Sequence, residues 1–278
     1  MADPLVPEKA ATLSASHQLK RLGKNINGYF GESIQIDAVL EDCISAGTRS
    51  GFAVEEFHSE PKRLLGFTRQ AGPGSASERK RVYISAGIHG DEPAGPLAVR
   101  QLLQENQWPA TLDLWLCPCL NPTGFRTNRR ESAEGLDLNR QYLEPKAEET
   151  IAHIRWLERQ PAFDLCLCLH EDWEAHGFYV YELNPDKLPS LAESMVERVA
   201  KLCPIDRSEM IEGRQAKDGI IRPTLDPVSR PQWPEAFYLL THKTRLSYTL
   251  EAPSDFHLPA RVTALVTAVM GTLESLVR

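Results

Sequence analysis

The chain predicts a single α/β domain, a three-layer α/β/α arrangement around a mixed, mostly parallel central sheet. Three observations predict it. From residue 81 onward, strand-length apolar runs alternate with helix-length amphipathic stretches. Two of these runs, LWLCPCL and LCLCLH, are apolar at nearly every position, the pattern of strands covered on both faces. No repeat or linker divides residues 1–278, and that length suits one α/β unit.

The elements follow in order. Residues 1–30 are polar without a strong period and are expected to form an N-terminal arm or a short helix lying on the body. In 33–47, Ile34, Ile36, Val39, Leu40 and Ile44 recur near helical spacing, with Ser33 as a candidate cap and Gly47 as a stop. FAVEEFHS and RLLGFTRQ predict two strands of a hairpin around Glu60-Pro61-Lys62, and 71–80 is a turn-rich loop. RVYISAGI (81–88) predicts a strand and Pro93 to about Asn106 a helix opened by proline. A strand at 111–120, a helix at 145–160 and strands at 163–170 and 177–183 come next. A helix at about 186–202, a strand at 245–251 and a helix from Leu258 to Val277 complete the chain.

Composition excludes some functions. Thirty-one basic against 38 acidic side chains give a net charge of −7, unlike the basic excess of a general nucleic-acid binder. No run approaches 18 apolar residues, so no membrane-spanning helix is expected. The first 24 residues lack the apolar core of a secretory signal, which predicts a cytoplasmic protein. Six cysteines are scattered. Cys117 and Cys119, like Cys166 and Cys168, are spaced to share one face of a strand, and buried free thiols are expected.

Open α/β sheets bind ligands beyond the carboxyl ends of their strands, so polar residues that follow apolar strands are the candidates. The run 81–88 leads into His89-Gly90-Asp91-Glu92. The H-x-x-E spacing, with a glycine permitting a tight turn, lets an imidazole and a carboxylate face one ion at about 2.0–2.2 Å. Alone it is a weak pattern that chance supplies. LCLCLH ends at His170, placed either for a third ligand or as a capped core histidine. YTLE ends at Glu251, where partial desolvation raises a carboxyl toward the range of a general base. Between the first two lies the polar stretch 121–140 with Arg126, Arg129, Arg130 and Arg140. These guanidiniums suit a carboxylate or a developing oxyanion, or form a solvated basic loop.

In order along the chain stand H-x-x-E, N-P-x-G followed by R-x-N-R, D-L-N-R, a strand-end His and a strand-end T-x-E. In that order they resemble the zinc carboxypeptidase family. The resemblance spans His89 to Glu251, and the helix opened by Leu258-Pro259 is similar to the family's last element. It implies one zinc ion per chain held by His89, Glu92 and His170, with Glu251 as general base and then general acid. It places the oxyanion arginine at Arg126 and the grip on the substrate's terminal carboxylate at Asn139 and Arg140. Asp137 would orient a ligating histidine. The implied partner is a small peptide with a free carboxylate.

Where the carboxypeptidase A branch keeps a mobile covering tyrosine, this chain has Ser229. That departure suggests the compact bacterial members acting on small peptides, such as murein tripeptide amidases. The proline-rich stretch 222–237 is then expected either to wall the specificity pocket, with Arg222 or Arg230 meeting an acidic substrate, or to be a stiff connection. The alternative is an N-acyl amino acid hydrolase of the aspartoacylase/succinylglutamate desuccinylase type, which shares H-x-x-E, D-L-N-R and the late glutamate. Those proteins carry a β-rich domain after the base, whereas 27 residues follow Glu251 here (278 − 251), which favours the peptidase. A binding module that has lost its base or a ligand is disfavoured because all four residues are present. Asp91, Glu171 and Asp172 are expected as charged neighbours of the site more than as ligands of a second metal.

Overall fold

A computed structural model describes residues 20–72, 79–223 and 230–278. Ten strands form one sheet: β1 (Ala53–His58), β2 (Leu64–Arg69), β3 (Lys80–Ala86), β4 (Leu112–Cys117), β5 (Leu165–Asp172), β6 (Tyr179–Leu183), β7 (Met210–Ile211), β8 (Arg214–Lys217), β9 (Ile220–Ile221) and β10 (Ser247–Pro253). Their order is β1-β2-β4-β3-β5-β10-β6-β9-β8-β7. The central four, β4-β3-β5-β10, run parallel, while β1–β2, β2–β4, β6–β10 and the β7–β8–β9 edge pair antiparallel. The expected mixed α/β sheet is thus present, with four parallel strands in the middle and a further parallel pair, β6–β9, toward one edge.

Alternation along the central strands divides the core. Leu165, Leu167 and Leu169 of β5, Val82 and Ile84 of β3 and Leu250 of β10 face one apolar layer. It is covered by α1 (Ile36–Arg49), α2 (Ala94–Glu105), α5 (Ala192–Val199) and α7 (Leu258–Leu276). Tyr83, Cys166 and Cys168 face the other layer, under α4 (Glu148–Glu158) and α6 (Glu235–His242). The six cysteines are free and buried, as expected.

Two predicted helix ends move. α1 starts at Ile36 after Gln35, not after Ser33, and runs through Gly47 to Arg49. Gly47 is no stop: a Cβ there would lie 2.7 Å from the Phe67 ring, so the glycine lets the helix close on β2. α5 begins at Ala192 rather than 186, because Pro189 disfavours helical backbone before it and Lys187 sits at φ 52°. Five strands and α-helices had no counterpart in the expected order: α6, the three strands of the β7–β8–β9 edge, and α3 (Pro122–Thr127) within the polar stretch 121–140.

Of the N-terminal arm, residues 1–19 lie outside the described residues. Residues 20–30 run over the body, with the Gly23 and Lys24 amides donating to the Asp255 carboxylate at 3.1 and 2.9 Å. Ser229, part of the proline-rich stretch and most of the 71–80 loop also lie outside them. Among the described residues, no helix is long and apolar enough to cross a membrane.

Candidate active site

β3, β5 and β10 run parallel, so their carboxyl ends meet at one edge of the sheet. The chain leaves β3 toward β4 on one side while β5 lies on the other, and a crevice opens at such a reversal. His89 follows β3, and His170 closes the apolar run of β5. Glu251 on β10 stands in direct register with His170. Because neighbours in register share a face, Glu251, His170 and Cys168 line the same cavity, of about 490 Å³.

Glu92 draws the two histidines together. The His89 Nδ1 lies 2.5 Å from Glu92 Oε1, and the His170 Nδ1 lies 3.0 Å from Glu92 Oε2. Ligand atoms of the three residues fall within 4.8 Å of one another, and all three side chains are buried. Two imidazole nitrogens and a carboxylate suit zinc, and three protein ligands leave a coordination position open. The His89 Nε2 has no hydrogen-bond partner among the described residues, but Asp137 Oδ1 stands 3.4 Å away, where a carboxylate orients a ligating ring. The residues fit the metal that the motifs imply.

The electrostatics agree with a place for a cation. Burial would lower the His89 imidazole, yet Glu92 and Asp137 outweigh it and raise it to about 9. Burial would likewise raise Glu92, but the two histidines hold it well below the usual carboxylate range. Burial pushes Glu251 well above that range, and the Glu92, Glu212 and Asp172 carboxylates add to the effect. A divalent cation answers this excess of carboxylate charge.

Gly90 is required for a reason other than the expected turn. A Cβ there would stand 2.1 Å from the Gly124 carbonyl carbon and 2.5 Å from the Arg129 oxygen, both backbone atoms. The loop after β3 is therefore pressed against the 121–130 segment. Asn121 organises that contact: its Oδ1 caps α3 through the Gly124 amide at 2.9 Å, and its Nδ2 donates to the Ile88 and Arg130 carbonyls at 3.2 and 3.1 Å. Asn128 at the end of α3 adopts the left-handed conformation and turns the chain back.

This geometry corrects one assignment. Arg126, expected to face the oxyanion, ends α3 on the outside, where it bonds Asp37 at 2.7 Å, Glu60 at 2.9 Å and the Pro61 carbonyl. Among the described residues it makes no contact with the cavity. Arg130 stands there instead, with Nη1 3.3 Å from His89 Nδ1 and 3.8 Å from Glu92 Oε1 and Nε donating to Asp137 at 3.1 Å. The residue was missed because loop register is set by the Asn121 bonds, which no periodicity reports.

Asn139 and Arg140 both line the cavity. Asn139 is fixed from both ends: its amide donates to Asp137 at 3.0 Å, and its Oδ1 accepts from the Glu235 amide at the start of α6 at 2.8 Å. Of the acidic neighbours, Glu171 is held by Arg261, by Ser254 and by the Ala94 amide, and Asp172 accepts from Tyr179 and the Glu174 amide. Both brace the fold. The proline-rich stretch does wall the cavity through Arg230, Pro234 and Phe237, whereas Arg222 is turned away onto Glu182 and Glu193.

Residues 78–200 match the profile of the succinylglutamate desuccinylase/aspartoacylase catalytic domain. Carboxypeptidase 2 of Trichophyton rubrum is 30% identical over 109 residues, which cover 36% of this chain and 20% of the relative. The match thus spans about a fifth of that relative's length. A Shewanella baltica structure with the provisional name metallopeptidase superposes with a TM-score of 0.75 at 23% identity, covering 88% of this chain and 97% of that one. The tripeptide-bound cell shape determinant Csd4 of Helicobacter pylori superposes with a TM-score of 0.55 at 21% identity, over 77% of this chain and 55% of its own. The catalytic-domain profile and the carboxypeptidase similarity agree with the ordered motifs, and the fold is shared with solved metallopeptidase-named structures: the chain is similar to zinc carboxypeptidase-like proteins.

Proposed function

We propose that the chain is a zinc-dependent hydrolase that cleaves the terminal amide bond of a small peptide bearing a free carboxylate. The observation that carries this reading is the approach of His89 and His170 to the two oxygens of Glu92, with Glu251 in register beside them on the same cavity. His89, Glu92 and His170 hold the ion. When bound, zinc supplies a Lewis acid able to lower the pKa of a water and to polarise a carbonyl.

The remaining work falls to the chain's own groups. Glu251 accepts the proton of the attacking water and delivers it to the leaving nitrogen, the task of a carboxylate at the edge of a desolvated site. Burial is the largest cause of the raised Glu251 carboxyl, and a cation held by Glu92 would offset one of the carboxylate charges that add to it. The Arg130 guanidinium, oriented by Asp137, faces the oxygen on which negative charge develops. Asn139 and Arg140 hold the terminal carboxylate and so place the last amide bond over the ion. Csd4 supports a peptide of tripeptide size as the substrate class.

The match to a desuccinylase/aspartoacylase catalytic domain favours a second reading, hydrolysis of N-acyl amino acids. Both bonds are amides next to a free carboxylate, so the same groups serve either. A hydrolysis panel of dipeptides, γ-linked and D-residue peptides and N-acyl amino acids tests both. Turnover of peptides alone supports the first reading, turnover of N-acyl amino acids alone replaces it with the second, and turnover of neither by zinc-loaded protein contradicts both.

A further inference from the structure

Four guanidiniums line the cavity: Arg130, Arg140, Arg214 and Arg230. Arg130 is matched by Asp137. Among the described residues the other three form no salt bridge. Arg140 donates to the carbonyl of Asn139 at 2.9 Å, and Arg230 lies over the Phe237 ring at 4.9 Å. Arg214 begins β8, just after the turn that carries Glu212, and Glu212 is engaged by the Tyr181 hydroxyl at 2.5 Å. Several arginines elsewhere, Arg63, Arg126, Arg222, Arg245 and Arg261, each have a carboxylate partner, whereas Arg140, Arg214 and Arg230 converge on one cavity without one among the described residues. The charges of Arg214 and Arg140 both reach Arg230: burial first and then these two guanidiniums lower it. Like charges gathered in a concave, partly desolvated place are stabilised when an anion binds there.

One terminal carboxylate occupies one guanidinium fork. We propose that Arg214 and Arg230 form, beside Arg140, a second anion subsite, so that the residue released by cleavage carries an acidic side chain as well as its terminal carboxylate. This rests on the reading of Arg140 as the grip on the terminal carboxylate. Arg214 is on an edge hairpin and Arg230 on the cavity wall, and both are only partly buried, so each can be replaced without opening the core.

The test uses zinc-loaded Glu251→Gln protein, in which substrate stays intact, and two dipeptides of nearly equal shape, Ala-Glu and Ala-Gln. Calorimetry at low salt is expected to show Ala-Glu bound about tenfold or more tightly than Ala-Gln, the scale of a charged hydrogen bond. Adding Arg214→Gln and Arg230→Gln is expected to erase the preference while affinity for Ala-Gln stays within about twofold. Equal affinity in the first protein, a preference that survives both replacements, or binding of neither dipeptide overturns the subsite. Turnover by the parent enzyme separates the two claims. Preferential binding with no hydrolysis would keep the subsite and remove the proposed reaction, and equal hydrolysis of both peptides would do the reverse.

Discussion

The two faces of β5 differ sharply although they share eight consecutive buried residues. On one face Leu165, Leu167 and Leu169 pack in the apolar layer under the helices. On the other, Cys166, Cys168 and His170 lead from the core to the cavity, above a buried polar chain. There Tyr142 donates to His153 Nδ1 at 2.7 Å, the other ring nitrogen meets the Tyr83 hydroxyl at 2.8 Å, and Tyr83 and Ser85 donate to Glu235 at 3.0 and 2.9 Å. Glu235 in turn offers its amide to Asn139. The first face supplies stability through burial, and the second spends some of it on polar groups that hold the site in place. The lesson is that one strand can carry both tasks because alternation keeps them a sheet thickness apart.

Breaking the two faces separately should have separate effects. Glu251→Gln is expected to lower turnover by about 10²–10⁴-fold, with zinc content and thermal unfolding unchanged. Turnover within threefold of the parent would refute its role as the base. Within the loop, Arg130→Gln should lower kcat by about 10²–10³-fold, the usual effect of losing an oxyanion donor. The paired control Arg126→Gln should change kcat less than twofold, because Arg126 only ties α3 to Asp37 and Glu60. The opposite ranking would restore Arg126 to the site. On the dry face, Leu167→Ala should cost about 2–5 kcal/mol in denaturant unfolding with kcat per folded molecule retained.

A subtler effect concerns pH. Burial raises Glu235 to about 7, above its ordinary value of 4.5. Below pH 4.5 the group is protonated in both folded and unfolded chains. Between pH 4.5 and 7 the unfolded chain releases the proton and the folded one keeps it, so stability falls as pH rises. Across that window the loss from this group is roughly 3 kcal/mol. Glu235→Gln should flatten this part of the curve of unfolding free energy against pH. An unaltered slope would show that Glu235 is ionised in the folded protein.

Much of this was legible in residue order. The alternating runs gave β3, β4, β5 and β10 and the helices between them, because strands buried on both faces and long amphipathic helices leave strong patterns. The residues expected around a metal stand at parallel strand ends, and those ends must meet. What escaped has physical reasons. Met210–Ile211 and Ile220–Ile221 are too short to show a period, and they form only by adding to an existing edge. α6 is buried from Glu235 through Leu240 and lies among prolines, so it has no polar face to mark it as a helix. Arg130 was passed over for Arg126, four residues earlier, because a side chain rather than a periodic backbone sets the register there. Gly47 and Gly90 were read as breaks although each is a point of close contact.

The central claim is that His89, Glu92 and His170 hold one zinc ion. Metal analysis of the purified protein after dialysis against zinc tests it most directly, with His170→Ala beside it as the control. The account predicts one zinc per parent chain and a loss of binding of tenfold or more in the variant, both proteins remaining folded by circular dichroism. Parent protein that retains no stoichiometric zinc, or a variant that binds it as tightly as the parent, would contradict the account.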